Sequence, residues 1–312
     1  MNLFYKFKID PVNVTVLISI ILTSWQLAIS NFSFQFQFLF FIAGISFIGI
    51  PHGALDHLVS KQTAERKQKT FSFLLFLVKY SLLIGVYSFA WFFFPQLSLI
   101  TFILISSWHF GETDLINDKQ FVGVAIQLMY GLSIVLWLVL GHHTEANLIL
   151  ASFININSIT LKVWLFLTLH EILYLSLSAT IILITLITML FKSAYKKRQV
   201  IQLFIILLCS YIIPLLPAFV IYFVGWHSVI TFQNLHRYLE GKKLNRNSIF
   251  KLWIKALPFT ILAIILLFLT KMLINRYLPS YNLVPLVFIF ISLITLPHIE
   301  VMHGLNKSKN TN

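Results

Sequence analysis

Seven of the ten histidines lie in apolar surroundings. They fall in four strings: Gly49-Ile-Pro-His52-Gly-Ala-Leu-Asp-His57, Trp108-His109-Phe-Gly-Glu-Thr-Asp114, Trp226-His227-Ser228 with His236 beyond it, and Pro297-His298-Ile-Glu-Val-Met-His303. Ionisable side chains inside a membrane segment are rare, face the protein interior and usually mark function. Neutral imidazole is also the commonest metal ligand, suited to iron, copper or zinc. The four inner residues His52, His109, His227 and His298 therefore point to a metal centre buried among helices. Carboxylates commonly orient metal-bound imidazoles by accepting the other ring N–H. Asp56, Glu112, Asp114 and Glu300 lie within a turn or two of the four histidines and are the candidates for that task. Prolines 51 and 297 precede two of the histidines. Lacking an N–H, each opens the backbone ladder and lets a neighbouring side chain turn inward.

The elements that must position these residues are membrane helices. The chain has 312 residues, 58% hydrophobic and only 11% charged, with a mean hydropathy of +0.87. A soluble domain carries roughly 25% charged residues. The expected fold is one all-α, polytopic bundle over residues 1–312. A span needs about 20 apolar residues, which gives helices near 11–31, 35–60, 70–94, 96–116, 121–141, 160–192, 199–214, 216–238, 250–274 and 280–304. Pro95 separates the third from the fourth, and Pro214 and Pro217 separate the seventh from the eighth. If those two prolines only kink one helix, the count is nine, within an expected range of about 8–10. The first apolar run is longer than a signal-peptide core and reads as a retained helix. Segment 145–158 is apolar but short, and is expected at the membrane interface.

The net charge of +13 would suggest nucleic acid in a soluble protein. Here the basic residues cluster between apolar runs, at Lys6/Lys8, 61–69, 192–198, 237–246 and Lys307/Lys309, so the charge reports topology instead. Ten spans with both termini cytoplasmic put all five clusters on one side of the inner membrane. The four inner histidines then fall on even-numbered spans at a common depth, with His57, His236 and His303 forming a second layer nearer the cytoplasm. His142 and His143 fall in an outer loop and are expected to be solvated. His170-Glu171 is expected to make a polar contact between helices.

On these strings the chain resembles the Brp/Blh family of bacterial membrane β-carotene 15,15′-dioxygenases. The resemblance is carried by residues 49–57, His109-Phe-Gly-Glu-Thr-Asp114, Trp226-His227-Ser228 and Leu296-Pro-His298, in the family's order. It implies a dioxygenase that uses non-haem Fe(II) and O2 to cleave β-carotene into two retinal molecules. No catalytic group separate from the metal ligands is implied. The lipid bilayer is the medium, and chromophore supply to a microbial rhodopsin is the expected functional link. Family members carry a second histidine one turn after the Trp-His-Ser histidine. Here that position is Thr231, so the expected ligands are His52, His109, His227 and His298, with His236 as the alternative fourth and a three-histidine site as the remaining option.

Other readings use the same histidines. A membrane transporter or proton relay would show broken helices in related halves, and no clear pair exists. Two-iron desaturases need HxxxH clusters, which are absent from this sequence. A catalytically divergent carotenoid- or haem-binding paralogue is distinguishable by its absorption spectrum.

Overall fold

The computed structural model describes residues 10–29, 32–115, 123–151, 153, 159–192, 196–241, 246–277 and 283–309. Lys6, Lys8, Lys242 and Lys243 of the basic runs lie outside them. The described residues form helices and connecting turns, with no strand among them. In chain order the helices are α1 (Pro11–Ala28), α2 (Phe34–Arg66), α3 (Phe73–Phe93), α4 (Pro95–Leu115), α5 (Val124–Leu140), α6 (His143–Leu150) and α7 (Ile159–Leu169). They continue as α8 (Glu171–Phe191), α9 (Lys197–Ile212), α10 (Leu215–Glu240), α11 (Arg246–Tyr277) and α12 (Leu283–Lys309).

Local chemistry sets the helix starts. The Asp10, Ser33 and Ser72 side chains accept from Val12, Phe36 and Leu75 backbone N–H groups, satisfying donors that the first turn leaves orphaned. Pro11 and Pro95 occupy first positions, where a missing N–H costs nothing. Pro214 ends the run before α10, and the backbone N–H of Leu215, in the first turn of α10, donates to Glu145 at 2.9 Å. The proline pair therefore marks a break.

Among the described residues, seven helices are long and apolar enough to cross a membrane, or eight if the bent pair α5–α6 counts as one span. The 21-residue α4 has the length but carries the polar string around His109, and α9 has 16 residues. Two expectations need correction. The single helix expected over 160–192 is two, α7 and α8. It breaks at His170, whose ring Nδ1 lies 2.9 Å from the Phe166 carbonyl at the end of α7. His142 is not solvated. It is buried at the α5–α6 bend, with its ring nitrogens 2.7 Å from the carbonyls of Leu138 and Ile213. Tertiary packing folds the α9–α10 break over it. His143 meets Glu171 at 2.9 Å, the interhelical contact expected for that glutamate.

The bundle is organised around α10, whose membrane window is 72% buried, whereas α3 and α11 are only 6% buried and form its lipid-facing flanks. Helices α4 and α5 cross in near-backbone contact. A Cβ on Gly111 would fall on the Gln127 carbonyl, and one on Gly131 would fall on that of Ser107. Close approach of this kind is the usual way membrane helices associate. Helix α6 is bent by 94° from α5, so it lies across the bundle.

Candidate metal centre

Two π-helical stretches bring the histidines inward. The first, Ile45–Gly49 in α2, precedes Pro51-His52, and the second, Val220–Ser228 in α10, contains His227. Single π turns inside α-helices are frequent at functional sites. The first has a local cause: Pro51 has no N–H to offer the Phe47 carbonyl, which takes the Trp253 indole N–H at 2.9 Å. The two stretches face each other, Gly49 lying close to Phe223 and Val224. The Ser228 hydroxyl donates to Phe223 five residues back, as the wider turn permits.

His52, His109, His227 and His298 converge from α2, α4, α10 and α12. Ring centres are 4.8 Å apart for His52–His298, 5.0 Å for His109–His227, 5.5 Å for His109–His298 and 5.9 Å for His52–His227. All four side chains are buried. Phe223 stacks on His227 and Phe110 meets its edge, closing the centre on one side.

The surrounding carboxylates divide their work. Asp56 Oδ1 lies 2.8 Å from His298 Nδ1, and the Tyr80 hydroxyl donates to its other oxygen at 3.0 Å. Glu112 pairs with His303 at 2.7 Å, while its second oxygen stands 4.0 Å from His109 Nδ1. Asp114, expected to orient an imidazole, instead collects the Tyr130 and Tyr222 hydroxyls and the Trp226 indole N–H. Its role is to anchor the residue beside His227. Glu300 is exposed. Of the outer layer, His57 packs between Phe73 and Phe259, and His236 bonds Ser248 at 2.7 Å. Neither joins the centre. Sequence reasoning missed Tyr80, Tyr130 and Tyr222. Each sits in an ordinary apolar helix, so no local signal could have singled them out.

Five ring nitrogens, both on His109, both on His227 and Nε2 of His298, are buried without a hydrogen-bond partner among the described residues. Such a group costs about 1–3 kcal/mol when left bare, so five together call for a common partner. Four imidazoles on one ion, with metal–nitrogen distances near 2.1 Å, put ring centres about 5 Å apart. The observed spacings fit. As placed, no three His, Cys, Asp or Glu side chains among the described residues form a ready ion site. Rotation about side-chain bonds is needed to aim the nitrogens together. The donor set is neutral and nitrogen-only, suited to iron, copper or zinc.

The centre opens into an apolar cavity of about 560 Å³, within the roughly 300–1,000 Å³ range of ligand sites. His52, His109, His227 and His298 line it, with Tyr80 beside them. At that end Leu262 and Leu266 of α11 both line the cavity and stand 49% and 48% exposed, so the wall there faces lipid.

Fold and site together define a polytopic helical membrane protein with a buried cluster of histidines on an apolar cavity. The family model of beta-carotene 15,15'-dioxygenases matches residues 43–306, which include all four histidines. The chain belongs to that family. Over 106 residues it is 30% identical to a "Beta-carotene 15,15'-dioxygenase" of uncultured marine bacterium 66A03, a stretch covering 34% of this chain and 38% of that relative. No solved structure gives a significant match.

Proposed function

We propose that this protein cleaves the central 15,15′ double bond of β-carotene with O2, at a non-haem Fe(II) centre held by His52, His109, His227 and His298, giving two molecules of all-trans-retinal. The observation that carries the proposal is the meeting of four buried imidazoles at the wall of an apolar cavity, in a chain of this family. The reaction balances with one oxygen atom added to each carbon of the broken bond, and no proton is taken up or lost. Iron, when bound, supplies the redox chemistry that dioxygen requires.

The chain's own residues bind, orient and exclude water. A hydrocarbon offers no hydrogen bonds, so selection rests on the shape of the cavity's apolar wall. Asp56 fixes the ring of His298 through Nδ1, leaving Nε2 as the nitrogen available to a metal. Asp114 holds Trp226 and so sets the approach of α10 to the centre. Phe110 and Phe223 shield His227 from competing polar partners. Substrate reaches the cavity from the bilayer, in which a carotenoid dissolves. This reading places the protein in the inner membrane with both termini cytoplasmic, supplying chromophore to a microbial rhodopsin.

Purified protein is expected to hold about one iron per chain, to show no Soret band and to form retinal from β-carotene. Two irons per chain, a haem spectrum, or absence of retinal from iron-loaded protein would each overturn the assignment.

A further inference from the structure

The cavity extends well beyond the histidines, and its far end is walled by large rings. Leu99 and His109 both line it and lie about 15 Å apart along α4 at the rise of an α-helix. Tyr80 and Trp91, on α3, give a separate measure of about 16 Å for the same arm. Helix α6 lies across the far end, contributing Ala146, Ile149 and Leu150 to the lining. Trp91 and Trp164, 7% and 9% exposed, pack on either side of this helix, where Ile149 and Leu150 touch both clusters. The other end of the cavity reaches lipid beside Leu262 and Leu266.

We infer that this arm is a molecular ruler that sets where a long polyene is cut. One end of the substrate seats against Trp91, Trp164 and α6, and the fixed depth of the arm brings a bond about 15 Å from that end to the histidines. The remainder of the molecule trails toward α3 and α11. An enzyme built this way selects the bond by distance from a terminus, because the polyene carries no polar mark to read. The inference rests on the dioxygenase reading and adds the residues that fix its regiochemistry.

The test uses full-length, iron-loaded protein and β-carotene, with products resolved by chromatography and mass spectrometry. Trp164→Leu or Trp91→Leu deepens the arm, so at least one-tenth of the product should become unequal apocarotenal pairs, where the wild type gives retinal alone. Ala146→Leu shortens the arm and should lower kcat/KM about tenfold with iron content unchanged. If all three variants kept wild-type iron, rate and retinal as sole product, the ruler would be wrong. A chain end sliding out beside Val163, which also lines the arm and is 53% exposed, would give that result. Wild-type protein that cleaves β-carotene off-centre overturns the ruler and the central-bond assignment together, and leaves the dioxygenase class standing. Iron-loaded wild type that cleaves nothing overturns the dioxygenase reading and the ruler with it.

Discussion

At the scale of single residues, His298 and His236 separate two versions of the centre. His298 stands 4.8 Å from His52, ring to ring, with its Nδ1 engaged by Asp56, whereas His236 bonds Ser248 on α11. His298→Ala should therefore lose most of its iron by elemental analysis, and His236→Ala should keep it. The opposite pattern would place the fourth ligand on α10. Asp56→Asn should weaken iron binding by about 10–100-fold, the usual cost of removing a carboxylate behind a ligand; unchanged affinity would make that contact merely structural. His142→Ala should retain iron yet lose about 1–3 kcal/mol of stability, since the Leu138 and Ile213 carbonyls are left bare. A thermal melt in detergent equal to wild type would show that the bend does not depend on this side chain. The four inner histidines were legible in the sequence because ionisable groups in apolar runs stand out. His142 was misread because a gap between apolar runs says nothing of what folds over it. Asp114 was misread because helical spacing from His109 does not reveal three donors converging from α5 and α10.

At the scale of elements, the crossing of α4 and α5 is the least forgiving contact in the described structure. Gly111 and Gly131 each admit a neighbouring backbone where a Cβ would stand. Overpacking usually costs about 1–3 kcal/mol, and here the obstacle is backbone, which cannot step aside as a side chain can. Gly111→Ala and Gly131→Ala should each lower the melting temperature and reduce bound iron together, since α4 carries His109. Full stability in either variant would mean that the helices can separate without cost. The helices themselves were largely legible from apolar runs and prolines. The two π stretches were not, because a run of apolar residues looks the same whether its turns hold four residues or five. Nor was the crosswise course of α6 visible beyond the shortness of its segment.

At the scale of the whole molecule, a bundle of helices with lipid-exposed flanks surrounds a polar centre that no single helix could shelter. Length and apolarity mark seven of the described helices directly, and α4, expected as a span over 96–116, is less apolar than these because it carries the polar string around His109. Counting α4 and α9 with the bent pair and the others gives an even number of crossings. Reporter fusions at the two termini should therefore report the same side of the membrane; opposite sides would require one of these helices to be re-entrant. Treatment with a chelator should remove iron and activity while far-ultraviolet circular dichroism stays near that of the loaded protein. The helices are held by packing that needs no metal, such as the backbone-close crossing of α4 and α5 at Gly111 and Gly131.

The facing π stretches also fix the phase of the chain. Upstream and downstream halves of α2 and α10 are rotated against each other relative to a regular helix, and His52 and His227 lie at or just beyond the step. Removing one residue from Val220–Ser228 would shorten α10 by only about 1.5 Å yet turn one half by about 100° against the other. The hydropathy of the span would scarcely change, but one half of the helix would present the wrong face to its neighbours. For this protein a single-residue deletion in these nine positions is thus a more drastic event than most substitutions, and residues are properly matched between relatives by face and not by count.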